Sequence, residues 1–437
     1  MRICMFTNTY LPHVGGVARS VSFFAQDLRD AGHRVLVIAP TFPACEAHDR
    51  HEPDVLRVPA IQNFNGSDFS VRIPSPFLLD EQVDRFEPHV IHSHHPYLLG
   101  DAALRNARRR QLPLIFTHHT LYEEYTHYIS ENPENMKRFA AFLSTNYANL
   151  CDRVVVPSES IQTLIRKRGV TVPTTVIPTG VDVAGFSKGD RRSFRQRHAI
   201  PQDAFVIGHL GRLAPEKNLA YLATAVARTL KKNQKAWFLV VGDGPSRQAI
   251  EQTFVESGLH ERLVMPGKAT GQTLVDAYHA MDLFVFASHT ETQGMVLIEA
   301  MAAGVPVLAL DAPGVREVVD NGVNGCLLDG DASSDQFADV LHWAVDAPDK
   351  IIAWGQAARR TATLFGRDRS AERMLRLYAH AVSTKMEKGN FNDSNLDVWD
   401  KFLLACQAEW DLVAGKTESI LQTVSDNEKV TGLDETA

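Results

Sequence analysis

Apolar residues in this chain fall into short continuous runs separated by longer stretches in which they recur every three or four positions. The runs have the length of buried strands, and the longer stretches have the period of helices with one apolar face. The first 40 residues show the pattern: RICMFTN, a glycine pair, a helical stretch from Ser20 to Ala31, then RVLVIAP, which together make a beta-alpha-beta unit. Further runs at 89-HVIH-92, 114-LIFT-117, 153-RVVVP-157 and 175-TVIP-178 extend a parallel sheet covered on both faces. The rhythm restarts with 205-FVIGHLGR-212 and continues through 236-AWFLVVGDG-244, 263-LVMPG-267, 283-LFVFAS-288, 306-PVLAL-310 and 325-GCLL-328. The expected fold class is therefore α/β, with two doubly wound, Rossmann-like domains at 1–183 and 184–386. They join near 178-PTGVDVAGFSKGD-190, where Gly and Pro interrupt both patterns.

Such domains carry their ligand crevices at the carboxyl ends of the strands, so a cleft between the two is the expected site. Residues 387–437 form an extension. In it Leu396, Trp399, Leu403, Cys406, Trp410 and Val413 recur at spacings of three and four, which predicts one amphipathic helix packing back on the body. Order is expected to end at about Gln422.

A length of 437 residues exceeds what one core supports, in keeping with two domains. No apolar window is long enough to cross a bilayer and the start, MRICMFTNTYLP, lacks a secretion-signal core, so the expected location is cytoplasmic. Cys4, Cys45, Cys151, Cys326 and Cys406 show no metal or disulfide spacing. Residues 1–180 contain 18 Lys+Arg and 18 Asp+Glu, and residues 181–386 contain 23 of each, so the net charge of -7 resides wholly in the extension. A neutral body excludes nucleic acid as the main partner. Local basic clusters remain at 105-RNARRR-110, 137-KR-138 and 166-RKR-168.

Four places carry candidate chemistry. In 13-HVGGVARS-20, Gly15 and Gly16 open a helix, where backbone N–H groups and the helix dipole favour an anion; a tight strand-to-helix turn uses the same glycines. In 211-GRLAPEKN-218, Arg212 and Lys217 follow the first strand of the second domain and could hold a diphosphate, the alternative being solvated loop charges. In 290-TETQGMVLIEAMAAG-304, Glu291 lies in a loop and Glu299 about one and a half turns into a helix beginning at Gly294. Two carboxylates can there accept hydroxyls from sugar and ribose while the N–H groups of Gly294, Met295 and Val296 face phosphate. The alternatives are a dipole-complementing charge for Glu291 and an exposed helix position for Glu299, the latter at odds with its apolar neighbours. The histidines of 92-HSHH-95, with His118 and His119, line a polyol site more readily than a metal site, because no ligand-spaced Cys, Asp or Glu accompanies them. No metal and no cofactor are expected, and 329-DGD-331 reads as a turn.

ETQGMVLIE resembles the signature of retaining glycosyltransferases of family four, which have the GT-B fold. The segments 15-GGV-17, 211-GRLAPEKN-218 and 301-MAAGVPVLALDAPGVREVV-319 resemble its companion motifs in the same order. The resemblance spans roughly residues 1 to 385. It implies a nucleotide-sugar donor, with Glu291 on the hexose hydroxyls, Glu299 on the ribose, Arg212 and Lys217 on the diphosphate, and His119 beside the reacting sugar. Gln293, where many members have an aromatic residue, and 116-FTHHTLYEEYTHY-128 are reminiscent of the diacylglycerol glucosyltransferases. That implies UDP-glucose as donor, a lipid acceptor, and Tyr122, Tyr125 and Tyr128 on the acceptor side. A lipid acceptor calls for a docking face on an anionic membrane surface. The candidates are Arg105 to Arg110, the helix around Met136 to Tyr147, and 69-FSVRIPSPFLL-79. The alternatives within the class are mannosyl transfer to phosphatidylinositol and glycosylation of a soluble sugar; outside it stands a non-catalytic sugar-binding or scaffold protein. An NAD-dependent oxidoreductase is disfavoured, because GxGxxG and an acidic end to the second strand are absent. Oligomeric state is left open.

Overall fold

The computed structural model describes residues 1–437 apart from 14, 44, 51, 53, 62–70, 73–78, 124–132, 388–397 and 432–437. By its internal contacts the chain forms two compact units, Met1–Thr179 together with Ser370–Ala437, and Gly180–Arg369.

The sheet of the first unit contains β1 (Arg2–Phe6), β2 (Arg34–Pro40), β3 (Val55–Val58), β6 (Val90–Ser93), β7 (Leu114–Thr117), β8 (Arg153–Val156) and β9 (Thr174–Val176), all parallel, in the order β3-β2-β1-β6-β7-β8-β9. A short antiparallel pair, β4 (Ala60–Ile61) and β5 (Val71–Arg72), stands apart from it. The interior strands β1, β2, β6, β7 and β8 are mostly apolar because both faces of the sheet are covered there. Successive residues feed opposite cores: Cys4, Phe6, Ile91 and Phe116 face one, and Ile3, Met5, Val90 and Ile115 face the other. In the second unit β10 (Phe205–Leu210), β11 (Ala236–Val241), β12 (Leu263–Gly267), β13 (Leu283–Phe286), β14 (Val307–Leu310) and β15 (Gly325–Leu328) are again all parallel, ordered β12-β11-β10-β13-β14-β15. In each sheet the first strand lies in the interior with later strands on both sides, so the order reverses there and opens a crevice at its carboxyl end.

Two sequence expectations need correction. The stretch from Ser370 to residue 386, expected to close the second domain, packs in the first unit. Its Met374, Leu377, Tyr378 and Ala381 complete the core that contains Ile3 and Met5, and Tyr378 shares a 2.6 Å hydrogen bond between its hydroxyl and His92 Nδ1. The expected helix of the extension exists, as Val398–Thr431, running past Gln422, and it packs on the helices Leu99–Arg109 and Pro133–Asn149. Its buried residues among those described, however, are Ala408, Leu412, Ser419 and Thr423, whereas Trp410 and Val413 are 70% and 58% exposed. Leu396 lies outside the described residues. Small side chains let the helix approach closely: Asn146 Nδ2 donates to Gly415 O at 3.1 Å and to Ser419 Oγ at 3.0 Å, and Lys416 pairs with Asp101 at 2.6 Å.

Candidate active site

In the second unit the chain leaves β10 through Gly211, whose φ of +154° only glycine adopts readily. The loop that follows is clamped by the end of β11. A Cβ added to Gly242 would collide with the Gly211 carbonyl oxygen, and one on Gly244 with that of Leu213. Leu213 N–H donates to Asp243 O at 3.0 Å, and Ser246 N–H donates to Leu213 O at 2.8 Å. A 3₁₀ turn, Pro215–Lys217, then hands over at Asn218 (φ +54°) to the helix Leu219–Lys232. Ser288 Oγ, just after β13, donates to Glu216 O at 3.0 Å, so the two strand-end loops are tied together.

This joining brings Lys217 and Glu291 into contact. Lys217 Nζ donates to Glu291 Oε2 at 3.0 Å and stands 5.8 Å from the centroid of the Phe286 ring. Burial by itself would raise the Glu291 pKa. The Lys217 charge and hydrogen bond, with the backbone N–H groups of Gly294 and Thr292, outweigh it and hold the carboxyl below its ordinary value. Arg212 is half exposed and ion-paired with Glu216.

Gly294 (φ +73°) caps the helix Met295–Ala302, and a Cβ there would press on Leu297 Cδ1 at 2.8 Å and Gly314 O at 3.1 Å. Of the three N–H groups expected to face phosphate, that of Gly294 bonds the Glu291 carboxylate; those of Met295 and Val296 lie in the first turn, where no intrahelical acceptor exists. Glu299 is wholly buried, which excludes the exposed helix position. Its Oε2 accepts from the hydroxyl of Tyr278, itself buried, at 2.7 Å. A polar side chain is tolerated in that apolar helix because a phenol hydrogen-bonds to it.

The first unit has its own constellation at the carboxyl ends of β1, β6 and β7. Gly15, in extended conformation, precedes the helix Gly16–Asp30, and among the described residues no heavy atom beyond its chain neighbours and its own helix backbone lies within 4 Å of where a Gly16 Cβ would stand. His119 Nε2 lies 2.9 Å from His94 Nδ1, with the rings stacked at 5.2 Å. His118 turns instead to Phe116 and Tyr122, as neighbours on an extended segment should. Burial pushes His92 and His95 down to about 3 and His118 to about 4. Burial and neighbouring imidazoles hold His94 and His119 well below the ordinary histidine value. The Tyr122 hydroxyl is buried without a partner among the described residues, its ring 5.8 Å from that of Tyr97. Tyr125 and Tyr128 lie outside the described residues.

The basic cluster at Arg105 to Arg110 does not form a free cationic face. Arg105 pairs with Glu409 and Arg109 with Asp80, Arg108 donates to Leu150 O at 3.1 Å, and buried Arg110 pairs with Asp84 at 2.6 Å. Most of 69-FSVRIPSPFLL-79 lies outside the described residues, and 329-DGD-331 forms a turn, with Ala332 N–H donating to Asp329 O at 3.0 Å. Among the described residues no helix is long and apolar enough to cross a membrane, and no three His, Cys, Asp or Glu are grouped to hold a metal ion.

Sequence reasoning passed over Tyr278 and the Gly242–Gly244 clamp. A glycine at each side of an aspartate directly after a strand was the available signal for the clamp. Nothing local marks Tyr278, which lies 21 positions from Glu299.

The family model for "Glycosyl transferases group 1" matches residues 190–361, and that for "Glycosyltransferase Family 4" matches residues 14–184. The chain is 29% identical over 356 residues to an alpha-monoglucosyldiacylglycerol synthase of Streptococcus pneumoniae, covering 80% of this chain and 79% of that one. It is 33% identical over 372 residues to a GDP-mannose-dependent alpha-mannosyltransferase of Mycolicibacterium smegmatis, covering 83% and 92%. A crystal structure of Anabaena Alr3699/HepE in complex with UDP superposes with a TM-score of 0.72 at 22% identity, covering 87% of this chain and all of that one, which establishes likeness of fold.

Proposed function

Since the chain belongs to glycosyltransferase family four and has the GT-B fold, we propose that it transfers an alpha-hexosyl unit, glucose from UDP-glucose, to diacylglycerol at a membrane surface. The observation that carries the donor half is the Lys217–Glu291 pair beside the start of the Met295–Ala302 helix. A cation and helix N–H groups for a diphosphate there adjoin a carboxylate kept ionised for sugar hydroxyls.

In this reading the second unit is the nucleotide-sugar domain and the first the acceptor-side domain. Arg212, Lys217 and the N–H groups of Met295 and Val296 stabilise the charge that develops on the departing diphosphate, without a metal. Arg212 exchanges Glu216 for phosphate. Glu291 accepts from the hexose hydroxyls and Glu299 from the ribose. Gly16, with its open side, and His119 meet the transferred sugar. The configuration is retained because the acceptor hydroxyl arrives on the face the diphosphate leaves and passes its proton to it. For diacylglycerol the support is Gln293, the Tyr122 loop and the likeness to the pneumococcal synthase. With the Arg105–Arg110 cluster engaged internally, membrane docking is left to 69-FSVRIPSPFLL-79 and the Pro133–Asn149 helix, whose Met136, Lys137, Arg138, Phe139 and Phe142 are all half-buried.

A second reading, mannosyl transfer from GDP-mannose, is favoured by the likeness to the mycobacterial enzyme. Incubating the purified protein with UDP-glucose, UDP-galactose or GDP-mannose and mixed micelles of diacylglycerol or phosphatidylinositol, then weighing the extracted lipids by mass spectrometry, separates the two. Hexosyl-diacylglycerol formed from UDP-glucose is the expected product. Nucleoside diphosphate released only on addition of a soluble sugar would overturn the lipid acceptor.

A further inference from the structure

His94 follows β6 and has no solvent-accessible surface. Its backbone N–H donates to Phe6 O at 2.9 Å, and its ring lies against that of His92, centroid to centroid 4.1 Å. His92 cannot turn away, because its Nδ1 is 2.6 Å from the Tyr378 hydroxyl and its Nε2 is 2.6 Å from Thr117 Oγ1. The His94 imidazole is thus held in one orientation, with Nδ1 toward His119.

Burial and the neighbouring imidazoles keep both His94 and His119 neutral near pH 7, so each ring carries a single N–H. Their 2.9 Å contact needs one donor and one acceptor. The far nitrogen of His94, Nε2, is buried and has no hydrogen-bond partner among the described residues. If His94 Nδ1 accepted, its proton would sit on Nε2 as a buried N–H with no acceptor, the rarer kind of orphan. If Nδ1 donates, Nε2 is left as an unshared lone pair, the better tolerated one.

We infer that His94 is a positioning residue: its Nδ1–H donates to His119 Nε2 and fixes His119 as the tautomer protonated on Nδ1. His119 then presents an N–H donor, and not a bare nitrogen, from its Nδ1 edge. This inference rests on the reading above in placing that edge beside the sugar, where a donor suits a hydroxyl oxygen and a general base is not called for.

The test uses the full chain labelled with ¹⁵N-histidine. Long-range ¹H–¹⁵N spectra distinguish protonated from unprotonated ring nitrogens, and His119→Gln identifies the His119 signals by their loss. A protonated Nδ1 on His119 is expected; a protonated Nε2 overturns the inference without reference to activity or to any variant's folding. His94→Phe keeps a ring and removes the donor, whereas His94→Asn sets an amide N–H near the lost Nδ1. The Phe variant is expected to lower kcat about 10-fold, part of what losing one hydrogen-bond donor in a transition state costs, with the donor KM unchanged; the Asn variant should recover most of it. Equal kcat in the Phe variant and the parent would sink the positioning role. Full transfer activity in His119→Gln would instead remove His119 from the sugar site, while the spectrum still decides the His94 hydrogen bond.

Discussion

At the scale of single residues, the carboxylate of Glu291 is kept ionised by Lys217 and two backbone N–H groups against the opposing effect of burial. Glu291→Ala should reduce kcat for transfer by at least about 100-fold, while titration calorimetry finds UDP bound nearly as tightly as by the parent. Transfer at the parental rate would remove the sugar-contact role. The buried imidazoles have a separate consequence for stability. Their folded pKa values lie far below that of a free histidine, about 3 for His92 and His95 and about 4 for His118. A depressed folded pKa means stability that is complete above the unfolded value, near 6.5, and is lost as pH falls toward the folded one, because only the unfolded chain takes up the protons. Each such histidine should cost on the order of 1 kcal/mol per pH unit over that window. The melting temperature of the first unit should therefore fall markedly from pH 7 to pH 5; calorimetric scans showing no change would mean that these rings titrate freely.

At the scale of elements, every strand of both main sheets except β3 was legible as an apolar run, because the interior strands, buried on both faces, carry few polar residues. β3, β4 and β5 were not. Val55–Val58 is short and carries Arg57, which reaches Asp49 at 2.7 Å, so no continuous run betrays it. The extension's helix was legible as a helix and misread as to its face. Large apolar residues place Trp410 on the buried side, yet it faces solvent while Ala408, Leu412, Ser419 and Thr423 are buried. Close helix approach selects for small side chains, and periodicity weighted by size does not see it. Likewise Lys217 and Glu291 could each be picked out locally, but their contact, 74 positions apart, is made by tertiary structure. Leu412→Ala should accordingly cost about 2 kcal/mol or more, and Trp410→Ala less than about 0.5 kcal/mol; urea titrations of the two variants give the comparison, and the reverse order would mean that the helix docks by its other face.

At the scale of the whole molecule, the first unit is discontinuous in sequence: residues from Ser370 onward return to it after the second unit has been traversed. Met374, Leu377 and Tyr378 are core residues, and the Tyr378 hydroxyl is the partner of His92. A chain ending at Arg369 should leave the Ile3–Met5 core open, bind a hydrophobic dye and lose its histidine constellation, whereas one ending at Glu387 should lack only the packing of the last helix. Comparable cooperative melting of the two truncated chains would contradict this account.

The same discontinuity orders events on the ribosome. Thr179 has emerged long before Tyr378, and at translation rates of about 5–20 residues per second the interval is roughly 10–40 s. Throughout it the first sheet lacks one of its covering helices, whereas the 190 residues from Gly180 to Arg369, uninterrupted in sequence, have all of theirs before it closes. The later-made unit is thus the first able to finish folding, and the half-built earlier one is the natural client of a chaperone during synthesis.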